Sequence, residues 1–184
     1  MGHVAIAGGG ATFAMLFMNK GDGTFELKPI NFSGLDASGI CGQVADLNND
    51  GLLDLVFAAD PDNSGLAKTM DRYEDKVYWN TGLHGARQNH WLRLRFSGVS
   101  DAELIGARVE VREVADGKLL GMRVITANDS YKSGCLLEAH FGLGQHERLN
   151  LTVTLLNGKT HTFMGIGVDR YLQCDLGVKT LPRV

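Results

Sequence analysis

Residues Asp46-Leu47-Asn48-Asn49-Asp50-Gly51-Leu52-Leu53-Asp54 place oxygen-bearing side chains at positions 1, 3, 5 and 9 of one loop, with glycine at position 6. A hard cation such as Ca²⁺ is held by about six to eight oxygens at ~2.3–2.6 Å. Side chains at alternate positions of a tightly wound loop can converge on one point, and a main-chain carbonyl commonly supplies position 7. Gly51 permits a backbone reversal that a Cβ would hinder. The expected Ca²⁺ ligands are therefore the side chains of Asp46, Asn48, Asp50 and Asp54 and the carbonyl of Leu52. An EF-hand would carry glutamate at position 12 and continue into a helix. Position 12 here is Phe57, within a short and largely apolar run, Leu53–Ala59, whose Val56 and Phe57 favour strand. The loop is expected on a β scaffold. The competing reading is an Asx-rich turn between two strands, since Asn, Asp and Gly are also the usual turn formers.

Other residues offer weaker chemistry. An enzymatic reading starts from His140, with Asp129, Ser130 and Ser133 as neighbours in sequence. The chain has no G-x-S-x-G elbow and no H-E-x-x-H pair. His140 is read instead as the end of a strand, satisfied by a local hydrogen bond. His84 and His90, six apart in a linker, are a poor match to metal-ligand spacing. Arg93, Arg95, Arg108 and Arg112, with Glu110 of opposite sign, read as a solvated, salt-bridged sheet face in preference to a phosphate or polyanion site. Trp79 and Trp91 bracket the linker, with Tyr73 and Tyr78 nearby; such aromatics either stack on a sugar ring or pack the junction between the two halves, and packing is the expectation. Gly8-Gly9-Gly10 lacks the Gly-Lys-Ser/Thr of a phosphate loop.

The elements that must position these residues are strands. The 184 residues include 24 glycines and 3 prolines, where a usage of ~7% predicts about 13 glycines. Such a composition suits short strands and tight turns. Trp91–Phe96, Ala107–Arg112 and Leu149–Leu155 alternate apolar and polar residues, the period of strands with one buried face. Further strands are expected at 14–18, 24–30, 42–45, 54–59, 76–79, 119–126, 136–141, 160–164 and 171–176. Asp116-Gly117 and Asn157-Gly158 supply the φ > 0 positions of hairpin turns. Residues 60–75 read as a surface loop, 80–89 as a linker, and no segment reads as an amphipathic helix. The formal charge of −3 gives no general electrostatic basis for nucleic-acid binding. The uncharged stretch Val4–Met18 is too short for a membrane span of about 20 residues. Cys41, Cys135 and Cys174 are widely spaced, with no C-x-x-C pair, and are expected as buried free thiols.

Leu16-Phe17-Met18-Asn19-Lys20-Gly21-Asp22-Gly23-Thr24-Phe25, followed by Val44 through Leu55, resembles the FG-GAP/VCBS repeat, and Val77-Tyr78-Trp79-Asn80-Thr81-Gly82 resembles the start of another. Asn89-His90-Trp91-Leu92, Ile105-Gly106-Ala107-Arg108-Val109, Ser130-Tyr131-Lys132-Ser133 and His140-Phe141-Gly142-Leu143-Gly144 resemble the ASPIC/UnbV domain, which follows such repeats in cartilage acidic protein-like and bacterial secreted proteins. The usual Trp-Pro-Ser-Gly turn of that domain is replaced by Leu155-Leu156-Asn157-Gly158. The first resemblance implies a four-stranded blade of an integrin-like propeller whose acidic loop binds Ca²⁺. A closed ring takes ~4–8 blades of about 40–50 residues each, more than the first 85 residues can supply.

The expectation is an all-β protein. Partial, blade-like antiparallel strands in residues 1–85 pack with a C-terminal β-sandwich or barrel in residues 89–177. The resemblance implies a secreted or extracytoplasmic, Ca²⁺-binding recognition or adhesion module without catalytic activity, whose partner is a protein or carbohydrate and which could form a homodimer through an exposed strand edge. No nucleic-acid partner and no membrane insertion are expected. The alternative is a hydrolase, or its accessory domain, acting on an extracellular polymer.

Overall fold

The computed structural model describes residues 4–7, 15–20, 22–28, 39–59, 76–128 and 134–177. Its strands, in chain order, are β1 (Val4–Ala7), β2 (Met15–Asn19), β3 (Phe25–Lys28), β4 (Gly39–Ala45), β5 (Asp54–Ala59), β6 (Lys76–Tyr78), β7 (His90–Ser97), β8 (Arg108–Glu113), β9 (Leu119–Val124), β10 (Glu138–Gly144), β11 (Arg148–Thr154), β12 (Thr160–Gly167) and β13 (Arg170–Asp175). A 3₁₀ segment at Leu83–Gln88 and the single-turn helix α1 (Asp101–Leu104) complete the set. The fold is all-β, as the alternation requires.

The C-terminal half is a sandwich of two sheets, ordered β12-β11-β8-β9 and β10-β7-β13, and not a closed barrel. β7, β8, β10 and β11 send alternate residues inward. Leu92, Leu94 and Phe96 of β7 meet Ala139, Phe141 and Leu143 of β10 in one core with Val109 and Val111 of β8 and Leu149, Leu151 and Val153 of β11. Burying a Val, Leu or Phe side chain is worth ~1.5–3 kcal/mol, so this cluster dominates the stability of the half. Gly121 on β9 lets the sheets approach there, since a Cβ at that position would stand 3.0 Å from the Phe141 ring. Cys174 is wholly buried in the same core, and burial pushes its thiol up to about 12. Cys135 and Cys174 are free thiols, while the Cys41 side chain lies outside the described residues.

The N-terminal half holds two antiparallel sheets, β1-β2-β3 and β4-β5-β6. Each has three strands among the described residues, where the repeat resemblance implies four. β1 was not anticipated, because Val4–Ala7 shows no alternation. Residues 80–89 are not a bare linker, since the 3₁₀ segment occupies most of them. Helix α1 was missed because one turn carries no amphipathic period. Its start was nonetheless written in Ser100-x-x-Glu103, a capping box in which each residue's side chain accepts from the other's backbone N–H.

The two expected hairpin turns form, with a different geometry. Only Gly117 and Gly158 take φ > 0, at 73° and 84°, while Asp116 and Asn157 do not. Each Asx side chain instead accepts the N–H two residues on, Lys118 at 2.8 Å and Lys159 at 2.9 Å. An Asx turn thus takes over the role assigned to a second left-handed residue. The expected surface loop at 60–75 and the Gly8-Gly9-Gly10, Asp129 and Ser130–Ser133 segments lie outside the described residues.

Candidate metal centre

The loop between β4 and β5 begins at Asp46 and returns at Asp54, directly across the ladder where Ala45 pairs with Asp54. Its winding comes from its own side chains. Asp46 accepts Asp50 N–H through Oδ1 and Gly51 N–H through Oδ2, both at 3.1 Å. Asn48 accepts Asp50 N–H at 3.1 Å, and Asp50 accepts Leu52 N–H at 3.0 Å. Asp54 closes the loop by accepting Leu47 N–H at 3.1 Å, and it takes Asn80 N–H at 2.8 Å from the chain just after β6. Asn49 and Gly51 carry the left-handed conformation, φ 59° and 86°. Gly51 therefore has the backbone that its position in the motif predicted.

Among the described residues, no three His, Cys, Asp or Glu side chains are gathered closely enough to hold an ion. The expected ligands share one wound loop, with their oxygens turned to backbone N–H groups. The fit to a cation rests on burial. Asp46 is 5% exposed and Asp54 0%, and among the described residues neither carboxylate forms an ion pair with Lys, Arg or His. Buried charges are costly unless paired or bound to metal. Each carboxylate oxygen retains a lone pair after its N–H bond. The donor set is all oxygen, which suits a hard ion.

The loop does not stand free. It lies on the outer face of the sheet β10-β7-β13. β7 places Trp91, Arg93 and Arg95 on that face, with Glu138 opposite Arg95 and His140 opposite Arg93 on β10. Arg93 donates to Glu138 at 2.7 Å, to the Asp46 carbonyl at 3.2 Å and to Asn49 Oδ1 at 3.0 Å. Its guanidinium also covers the Tyr171 ring, 5.5 Å from the centroid. His140 donates from Nε2 to the Gly51 carbonyl at 3.2 Å and stacks on Trp91 with ring planes within 2°. A Cβ on Gly51 would sit 2.1 Å from the Trp91 indole. Asp50 adds an ion pair to Arg87 at 3.6 Å.

Three sequence expectations need correction here. His140 is in the middle of β10 and its hydrogen bond reaches across the fold, so it neither ends a strand nor bonds locally. Arg93 is not on a solvated face: with side-chain exposure of 17%, it clamps the loop to the sheet. The salt-bridged surface holds only for Arg95 with Glu138 and for Arg108 and Arg112 with Glu110. Trp79 does not pack the junction, being 57% exposed, whereas Trp91 does. His90, outside the loop, turns its Nδ1 to Asp169 at 2.6 Å. Asn80 was missed although a signal existed, since Asn80-Thr81-Gly82 repeats Asn19-Lys20-Gly21. Trp91, Arg93 and His140 had no local signal.

Burial holds the His140 imidazole below its usual 6.5, outweighing the nearby Asp46 carboxylate and the Gly51 carbonyl, which favour the charged form. With the folded value depressed, the unfolded chain binds the proton first as pH falls. This contribution to stability is therefore complete above about pH 6.5 and is lost as pH falls toward the folded value. Comparing chemical melts of the native protein and His140→Gln across that window should show a shallower acid-side loss in the variant.

Residues 98–180 match the family model for ASPIC and UnbV, and residues 4–57 match that for the FG-GAP-like repeat. The chain joins an FG-GAP-like repeat to an ASPIC/UnbV domain. The acidic loop falls inside the matched repeat. β7 precedes the matched ASPIC/UnbV segment, yet it lies between β10 and β13 in that domain's sheet. Cartilage acidic protein 1 of Xenopus tropicalis is 32% identical over 137 residues, which are 74% of this chain and 19% of that protein. The chain thus spans about a fifth of the length of that relative. Among the described residues, no helix is long and apolar enough to cross a membrane.

Proposed function

We propose that this chain is a Ca²⁺-stabilised recognition or adhesion module that works outside the cytoplasm without catalytic turnover. The observation that carries the reading is the pair of buried carboxylates, Asp46 and Asp54, with no cationic side chain paired to them among the described residues. Asp46, Asn48, Asp50, Asp54 and the Leu52 carbonyl would hold the ion, with water completing its shell. A bound ion supplies positive charge that relieves the repulsion of three aspartates. The loop would then be stiffened where it rests on the ASPIC/UnbV sheet through Arg93, Trp91 and His140. Extracytoplasmic action is supported by the FG-GAP match and by a relative named for cartilage, and millimolar Ca²⁺ outside cells suits modest affinity. The non-catalytic reading is supported by His140, whose imidazole is committed to Gly51 and Trp91. The partner proposed for such a module is a protein or a carbohydrate.

The test is thermal melting of the full chain after chelator treatment. Ca²⁺ at a hundredfold excess over Kd is expected to add about 2.7 kcal/mol, or about 5–10 °C for a chain of this size. Mg²⁺ should act poorly, because it demands octahedral ligands at ~2.0–2.1 Å. Asp50→Ala should abolish the calcium shift while circular dichroism keeps the β signal. An unchanged melting temperature on adding Ca²⁺ to the native chain defeats the reading.

A further inference from the structure

Two arginines reach the acidic loop, and they touch different kinds of oxygen. Arg93 donates to the Asp46 carbonyl at 3.2 Å and to Asn49 Oδ1 at 3.0 Å, and neither atom belongs to the expected ligand set. Arg87 reaches a ligand oxygen. Its terminal nitrogen lies 3.6 Å from Asp50 Oδ2, while Asp50 Oδ1 accepts Leu52 N–H at 3.0 Å. The Asp50 oxygen that the winding of the loop leaves open is therefore the one that faces Arg87. The guanidinium is placed there by its own segment. Arg87 Nε donates to the Thr81 carbonyl at 3.3 Å, and the arginine stem crosses Gly82, where a Cβ would strike it. The same segment is stitched to the far end of the loop. Asn80 N–H donates to Asp54 at 2.8 Å, and the Asn80 side-chain amide donates to the Leu53 carbonyl at 3.3 Å. Residues 80–87 thus touch two of the four carboxylate or amide side chains expected to hold the ion.

We infer that Arg87 is a tethered cation that competes with Ca²⁺ for Asp50 and so sets the calcium affinity of the loop. The inference rests on the metal reading proposed above and adds the residue that tunes it. The separation of 3.6 Å is longer than the ~2.7–3.2 Å of a hydrogen bond, and the Arg87 side chain is 62% exposed. Such a pair contributes little to stability and yields readily to a competitor. Its charge still matters to a divalent ion, because repulsion scales with the product of the charges. Loss of a contact at a binding loop ordinarily weakens the site. Loss of Arg87 has the opposite sign, since it frees a ligand oxygen and removes a positive charge together. Arg93 differs in kind: it leaves the ligand oxygens free and fixes the backbone that carries them.

The experiment titrates the full chain with calcium chloride in a calorimeter, at low and at high ionic strength. Arg87→Gln keeps a polar side chain and drops the charge. At low salt it is expected to tighten calcium binding by about threefold or more, with an unchanged melting temperature in chelator. Arg87→Lys, which keeps the charge, should tighten it less. Arg108→Gln makes the same change in net charge on the outer face of the other sheet and should leave the affinity as it is. At high salt the gap between Arg87→Gln and the native chain should narrow, because exposed charges are screened. A packing role for Arg87 would leave that gap open. Equal or weaker binding by Arg87→Gln, an equal gain in Arg108→Gln, or a gap indifferent to salt overturns the inference and leaves the metal reading standing. Absence of calcium binding in both the native chain and Arg87→Gln defeats the metal reading and the inference with it.

Discussion

Gly51→Ala is expected to cost about 3 kcal/mol or more. Two penalties coincide. The backbone there is left-handed at φ 86°, which costs an L-residue roughly 1–2 kcal/mol. The new Cβ would stand 2.1 Å from the Trp91 indole, and overpacking of that kind typically costs ~1–3 kcal/mol. Relief requires the loop to lift, which would stretch the Arg93 bonds to the Asp46 carbonyl and Asn49. Denaturant melts of Gly51→Ala, Trp91→Ala and the double variant separate the two causes. In the Trp91→Ala background the alanine penalty should fall to the backbone part, giving a coupling of about 1–3 kcal/mol. Additive single variants would mean that the indole is not what the Cβ strikes.

Asp54→Asn is expected to destabilise the chain by about 2 kcal/mol before any metal is added. Asp54 is wholly buried and accepts two backbone N–H groups, from Leu47 and Asn80. An amide offers one acceptor oxygen and turns its NH₂ toward the second donor, leaving a buried N–H unsatisfied at ~1–3 kcal/mol. Asn80 would loosen with it, and with Asn80 the chain after β6. The calcium dependence tells the two readings of the loop apart. If the loop holds Ca²⁺, the penalty should grow by about the 2.7 kcal/mol of lost linkage at a hundredfold excess over Kd. If it is only an Asx-wound turn, the penalty should be the same with Ca²⁺ and with chelator.

Much of this protein was legible without its tertiary structure, and the legible part is local. Period-two alternation is a property of one strand's backbone, so Leu92-x-Leu94-x-Phe96 and Leu149-x-Leu151-x-Val153 identify both the strands and their inward faces. The acidic loop was equally plain, because its side-chain oxygens and the glycine at position 6 lie within nine residues. Short single-turn pieces escaped, since one turn has no period to read. The alternation of Arg93 and Arg95 was correctly placed on the outer face of β7, but the same pattern serves a solvated surface and an internal clamp. Only the folded chain decides between them, by laying the loop of residues 46–54 over β7 and β10. The contacts that hold it there, Arg93 to Asn49, His140 to Gly51 and Trp91 against Gly51, join residues 40 to 89 positions apart. No local pattern encodes such a pairing, because it depends on which faces meet once both halves have buried their apolar sides. The sequence by itself determined the described strands other than β1, the core faces and the acidic loop. The tertiary structure decided what that loop rests on, why Gly51 must lack a side chain twice over, and which arginine clamps the loop to the sheet.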